Sequence, residues 1–216
     1  MPSTDPLLDG VQALRDVLVA AGFPTIPHAV AAHAIFLDPA TVAQTGGSAV
    51  FRTVRHGARR GEFTTLTDGR TVMFDDNYSP AHAFIWAAGR SKRVDVQFNH
   101  IWPGPKNPDL YTALWNLCLT PAFLAKTTDS LHHHEVISML RYRSFELYGY
   151  VPASESSPPE RPERYGEYQW AQMPPAVANL EAIYRTRMGR TPQGRATQSA
   201  RQCGWLFSGW EPDLNL

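Results

Sequence analysis

Asn99 and His100 stand near the end of an apolar stretch at residues 94–101, and sixteen residues after the histidine the chain reads Asn116-Leu117. These residue types at this spacing suit the hydrolysis of a phosphodiester. That reaction needs a base to make water nucleophilic and a hard cation to neutralise charge on the leaving side. A neutral histidine serves as the base, provided that its second ring nitrogen is held in one tautomer by another group. Asn99, beside it, is placed to reach a metal. Between the two segments Pro103-Gly104-Pro105-Lys106-Asn107-Pro108 forces a loop.

The elements needed to position these residues can be read from periodicity. Residues 94–101 form one strand and 111–119 bring the chain back, with a helix expected at 121–126 after Pro121. Before them, residues 49–54, 62–66 and 71–74 are rich in β-formers. Asp68-Gly69 joins the last two as a hairpin, because this pair tolerates the positive φ of a tight turn. Helices are expected at 6–21, capped by Asp5, and at 30–37, closing near Asp38-Pro39. A helix at 80–88 has Pro80 at its first position and Ser79 as cap. A longer helix runs over 134–148 to Gly149, with Tyr142, Phe145, Leu147 and Tyr148 as core and Arg141 and Arg143 placed to reach phosphate or solvent. A polar, Pro-rich linker at 152–165 precedes a last helix at 174–188, and Trp205, Phe207 and Trp210 make the tail a docking segment.

The segment 96–129 resembles the HNH, or His-Me finger, endonuclease motif, a ββα-metal element. That family has a carboxylate or Asn, then the general-base His, an Ile and often a Pro, then Asn-Leu, then a short helix carrying a third polar residue. The resemblance covers about thirty-five residues. It implies His100 as the base, Asn116 as the residue that positions it, and Asn99 as a metal ligand for Mg²⁺ or Mn²⁺. The third ligand is expected nine or ten residues after Asn116, where this chain has Ala125 and Lys126. Lysine cannot bind Mg²⁺, but Lys126 could contact the scissile phosphate. Thr127, Thr128, Asp129 or His132 could supply the missing ligand from a longer helix; Asp129 is the best electrostatic candidate, with Asp75 or Asp76 next. Asn99 is neutral where Asp is commoner, which lowers metal affinity. The cysteines that often brace this motif with zinc are absent, since Cys118 and Cys203 form no Cys-x-x-Cys pair.

Two other clusters invite a metal reading and have simpler accounts. Asp75-Asp76-Asn77 follows a strand, where consecutive side chains point to opposite faces, so a turn and cap before Pro80 explains them. His132-His133-His134 at a helix start fans over a wide arc and cannot chelate together. A PD-(D/E)xK nuclease would need an Asp and a Glu-x-Lys on adjoining strands, and neither is present.

The 216 residues carry no net charge, so a blanket nucleic-acid binder is not expected. The distribution is less even. Arg52, Arg55, Arg59 and Arg60 form one acid-free cluster, and Arg90, Lys92 and Arg93 form another just before the strand of His100. Seventeen of the twenty cations are Arg, which suits bidentate contact with phosphate and guanine, although high-GC codon use would give the same bias. At 43% hydrophobic and 11% aromatic the chain can build a core. No run is long enough to span a membrane, and no signal segment opens the chain, so a soluble, cytoplasmic protein is expected.

The expected fold is α+β: a small antiparallel sheet with a ββα-metal motif at about 94–129, flanked by N- and C-terminal helices. Residues 1–150 make a single domain, and 151–216 a Pro-rich linker with a C-terminal helical extension. The expected activity is metal-dependent hydrolysis of DNA by a restriction-type, site-specific enzyme, with a homodimer matching a palindromic target. The cations of both clusters and Lys126 would grip the backbone. Two rivals fit the same residues: a DNA-binding module of this fold without cleavage, and an unrelated protein-interaction domain using the aromatic tail. Metal-dependent nicking separates the first rival from the enzyme, and DNA binding separates the second from both.

Overall fold

A computed structural model of the chain describes residues 9–90, 94–128, 133–190 and 203–208. The architecture is α+β, with two small sheets among helices. The first sheet has strands β1 (Thr53–Arg55), β2 (Phe63–Thr65) and β3 (Thr71–Asp75). β3 lies in the middle, antiparallel to β2 and parallel to β1. The β2–β3 hairpin turns at Gly69, whose φ of +84° is the conformation that an Asp-Gly turn needs. The second sheet pairs β4 (Val96–His100) with β5 (Leu117–Pro121), antiparallel.

The expectation of one antiparallel sheet therefore needs correction. β1 leaves through the 3₁₀ turn Gly57–Arg59 and ends on the far edge of β3 from β2, which makes that pair parallel. The β4–β5 ladder stands apart and gains a third partner from another segment: Ile35 exchanges both backbone hydrogen bonds with Leu119, at 2.8 and 3.0 Å. That bridge also relocates the second helix. Pro27 sits near the start of α2 (Ile26–His33), and the chain becomes extended at Ala34 so that Ile35 can pair, although periodicity placed the helix at 30–37.

Other elements fall close to their expected places. α1 (Gly10–Ala20) is capped by Asp9, whose carboxylate accepts from Val11 N and Gln12 N; Asp5 lies outside the described residues. α3 (Pro39–Ala43) begins at the Asp38 cap. α4 (Tyr78–Ala87) starts from Asn77 in the left-handed region, φ +60°. The loop after β4 contains α5 (Pro108–Tyr111) and the 3₁₀ turn Leu114–Asn116. β5 runs into a 3₁₀ helix, Ala122–Thr128, where an α-helix was expected from Pro121. α6 (His134–Tyr148) ends at Gly149, φ +74°, and buries Val136, Met139, Leu140 and Ser144 at the 3–4 spacing of one helix face. α7 (Leu180–Arg190) is shorter than the 174–188 expected. Its approach is spent on tertiary contacts instead: Val177 N donates to Thr41 Oγ1 and Leu180 N to Gln44 Oε1.

The core is largely shared. Phe36, Phe84, Leu114, Leu117, Leu124 and Met139 are nearly inaccessible, and Tyr165, Leu180 and Tyr184 from the C-terminal third join the same cluster. Residues 50–51 are gripped from two sides. The Thr112 hydroxyl donates to Phe51 O and accepts from Phe51 N, both at 2.9 Å, while Leu206 N donates to Val50 O at 2.8 Å. Trp205 bridges Phe51 there, so this part of the tail docks; Trp210 lies outside the described residues.

One close approach has a large energetic consequence. Gly47 has φ +79°, and a Cβ there would lie 2.5 Å from Cε1 of Tyr150. Its carbonyl accepts from Trp115 Nε1 at 2.7 Å. Gly47→Ala adds left-handed strain and a ring clash together, so we expect a loss of about 2 kcal/mol. In a domain of this size that is a fall in Tm of about 4–8 °C in a thermal melt. An unchanged Tm would mean that the Tyr150 ring yields freely.

Candidate active site

His100 is the last residue of β4 and pairs in register with Leu117, while Asn99 pairs with Cys118. The strand stops there because Ile101 N turns to Asn116 O, at 3.0 Å, and the proline-rich loop follows. His100 Nε2 lies 2.9 Å from the carbonyl oxygen of Tyr111. A carbonyl can only accept, so Nε2 carries the proton and Nδ1 keeps the lone pair. The imidazole stacks on the Tyr111 ring, centroids 5.3 Å apart and planes 10° from parallel. Burial pushes the imidazole pKa below its ordinary value and the Arg55 guanidinium lowers it further, against the opposing effect of the Tyr111 hydrogen bond. His100 is therefore a neutral, single-tautomer imidazole at neutral pH.

Tyr111 is itself fixed. It is fully buried, and its hydroxyl accepts from Asn77 N at 2.8 Å. Asn116 supports the same loop. Its Oδ1 accepts from Trp102 N at 2.7 Å, and its Nδ2 donates to Leu110 O at 3.0 Å and to Trp102 O at 3.2 Å. Asn116, expected to position His100, makes no side-chain hydrogen bond to the imidazole among the described residues, and a nearby carbonyl takes that place. Its side-chain hydrogen bonds go to the backbone of the loop, and it holds the carbonyl of the residue before Tyr111. The carbonyl that orients His100 belongs to Tyr111, a residue type that carries no sequence signal for a backbone function.

Asn99 is 8% exposed. Its Nδ2 donates to Thr120 Oγ1 at 2.8 Å and to Gln97 O at 3.3 Å, which leaves Oδ1 as the atom available to a cation. Asn99 and His100 line a cleft of about 330 Å³ with Arg55, Asn77, Thr128 and Arg141. Thr128, from the 3₁₀ helix after β5, donates its hydroxyl to Ala125 O and keeps oxygen lone pairs. Asn99 Oδ1 and Thr128 Oγ1 are the oxygen type that a hard cation prefers, but they supply no charge. Among the described residues no carboxylate lines this cleft, and no three His, Cys, Asp or Glu gather to hold a metal. Asp129 follows Thr128 in sequence and lies outside the described residues, as do Lys92, Arg93 and His132.

The alternative carboxylates serve other ends. Asp75 is fully buried and accepts from Ser79 N, capping α4, with Arg60 Nε 3.7 Å from its other oxygen. Asp76 pairs with Arg55 Nε at 3.4 Å. Of the first basic cluster, Arg55 reaches the cleft. Arg59 pairs with Glu62 at 2.8 Å and covers the Phe74 ring, Arg60 covers Tyr78, and Arg52 is exposed. Arg90 is exposed after α4, and its carbonyl accepts from Arg187; Lys126 is exposed on the 3₁₀ helix. Comparison of the chain with family models, curated proteins and solved structures returned no match. Among the described residues no helix is long and apolar enough to cross a membrane.

Proposed function

We propose that the protein is a metal-dependent endonuclease of the HNH type that hydrolyses phosphodiester bonds in DNA. The observation that carries this reading is the state of His100: a half-buried, neutral imidazole, fixed in one tautomer by a backbone carbonyl, lining a cleft with two arginines and no described carboxylate. Such a cleft favours an anion beside a base. Nδ1 of His100 takes a proton from water as the water oxygen attacks phosphorus, and the P–O bond on the opposite side breaks. The departing oxygen takes its proton from solvent. Asn116 and Tyr111 act as positioning residues, keeping the imidazole from rotating. Mg²⁺ or Mn²⁺, held by Asn99 and Asp129, would neutralise charge on the phosphate and the leaving oxygen. Arg52, Arg90, Lys92, Arg93 and Lys126 supply the backbone grip, and a homodimer would match a palindromic target.

The test is cleavage of varied duplex DNA by the purified chain, with and without chelator. Nicking that requires Mg²⁺ or Mn²⁺ supports the reading. Asp129→Ala is expected to raise the metal concentration for half-maximal cleavage by at least about tenfold, the usual range for loss of a carboxylate near a metal, without weakening metal-free DNA binding. If it cleaves like the parent, the metal assignment is wrong. The non-cleaving DNA-binding module is the second reading, favoured by the missing carboxylate among the described cleft residues. Tight DNA binding with no nicking at any metal concentration would establish it.

A further inference from the structure

Arg141 stands out among the charged side chains around the cleft. It is half-buried on α6, four residues after the partly buried Ile137, and both line the His100 cleft. Among the described residues its buried Nε has no hydrogen-bond partner. Among the described residues it makes no ion pair, whereas Arg55 is held by Asp76 and the nearby Arg143 by Glu146. Arg141 also borders a second cleft of about 510 Å³, between α6 and residues 159–168, so it stands in the wall that the two clefts share.

A guanidinium cannot shed its charge, and a buried donor left unpaired is costly. An arginine held in that state in the wall of a cleft is a group ready to receive an anion. Its planar fork matches two oxygens of a phosphate, a pairing that lysine cannot reproduce. Arg55 does not compete for this role in the same way, because Asp76 already shares its charge.

We propose that Arg141 is the phosphate-binding residue of the cleft, receiving two non-bridging oxygens of a phosphate group through its fork. This deepens the nuclease reading and rests on it for the identity of the substrate, but the anion site can be tested without cleavage. Inorganic phosphate, titrated into the metal-free full chain by calorimetry, should bind. Arg141→Gln should weaken that binding by about tenfold or more, the range expected for a hydrogen-bonded charge pair. Arg141→Lys should fall between the two, keeping the charge but losing the fork. Arg55→Gln should weaken binding less than Arg141→Gln does.

Thermal melts of each variant show whether it is folded. If Arg141→Gln does not fold, the comparison of Arg141→Lys with the parent decides, and equal phosphate affinity there overturns the proposal. Equal affinity in a folded Arg141→Gln, or no phosphate binding by the parent, overturns it as well. Phosphate binding that depends on Arg141, in a chain that cleaves no DNA, would keep the anion site and discard the nuclease.

Discussion

His100→Gln is expected to abolish most of the proposed cleavage while leaving the fold and any DNA affinity in place. Glutamine can still donate an amide N–H to Tyr111 O, so the buried carbonyl keeps a partner, but it has no basic nitrogen to take a proton from water. Loss of a general base costs on the order of 10²–10⁴ in rate. The pH profile of the parent carries the sign of the same argument. Burial lowers the His100 pKa, so the base form is present down to more acid conditions than for a free imidazole. Activity should therefore rise with pH, reach half its plateau below about pH 6.5, the ordinary imidazole value, and stay level through neutrality. A midpoint above that value would mean that a different group is the base. A glutamine variant with parental activity would remove His100 from the chemistry.

Asn116→Ala should be the most destabilising single change in the site. The side chain is fully buried and uses both donors and its acceptor on backbone groups. Alanine leaves Trp102 N–H and the carbonyls of Leu110 and Trp102 without those partners. At about 1–3 kcal/mol for each buried group, partly relieved by relaxation, the loss is about 3 kcal/mol. That corresponds to a fall in Tm of about 6–12 °C. Asn116→Asp should be worse, because carboxylate oxygens would then face two carbonyl oxygens where an amide NH₂ now donates. Cleavage by Asn116→Ala should also drop at temperatures where it is folded, since the loop that presents Tyr111 O loses its tie. A melt within 2 °C of the parent, less than one kcal/mol by the same scaling, would show that the loop is held by other contacts.

The residues at the two ends of the site loop were readable from sequence because each sits at a change of pattern. An apolar strand ends at His100, and Asn-Leu opens the next strand. The end of α6 was readable for a similar local reason, a glycine just past the last apolar residue of the helix face. What joins these pieces was not readable, because it is backbone chemistry. His100 is oriented by the carbonyl of Tyr111, and any residue has a carbonyl. Asn116 likewise hydrogen-bonds main-chain atoms, and its residue type alone did not say whether its own side chain or a nearby carbonyl would hold the histidine. The shift of α2 has a tertiary cause: Ile35 pairs with Leu119, eighty-four residues away, and helix periodicity carries no trace of that pairing. Arg141 was legible as a cation near the core, but its lack of an acidic partner among the described residues exists only in three dimensions.

The clasp on residues 50–51 orders events while the chain is being made. Thr112, which closes one side of that segment, directly follows the tyrosine whose carbonyl holds His100. The other side is closed by Trp205 and Leu206. Ninety-four residues separate Thr112 from Leu206. At about 5–20 residues per second, a ribosome needs roughly 5–20 s to cross that distance. Throughout that interval the hairpin of His100 is complete in sequence, yet the segment that braces its loop has one open edge. Closing it joins chain positions about 150 apart, a contact of the long-range kind that slows folding. The segment that braces the histidine's loop is thus complete in sequence only once residues 205–206 have been made, later than the hairpin itself.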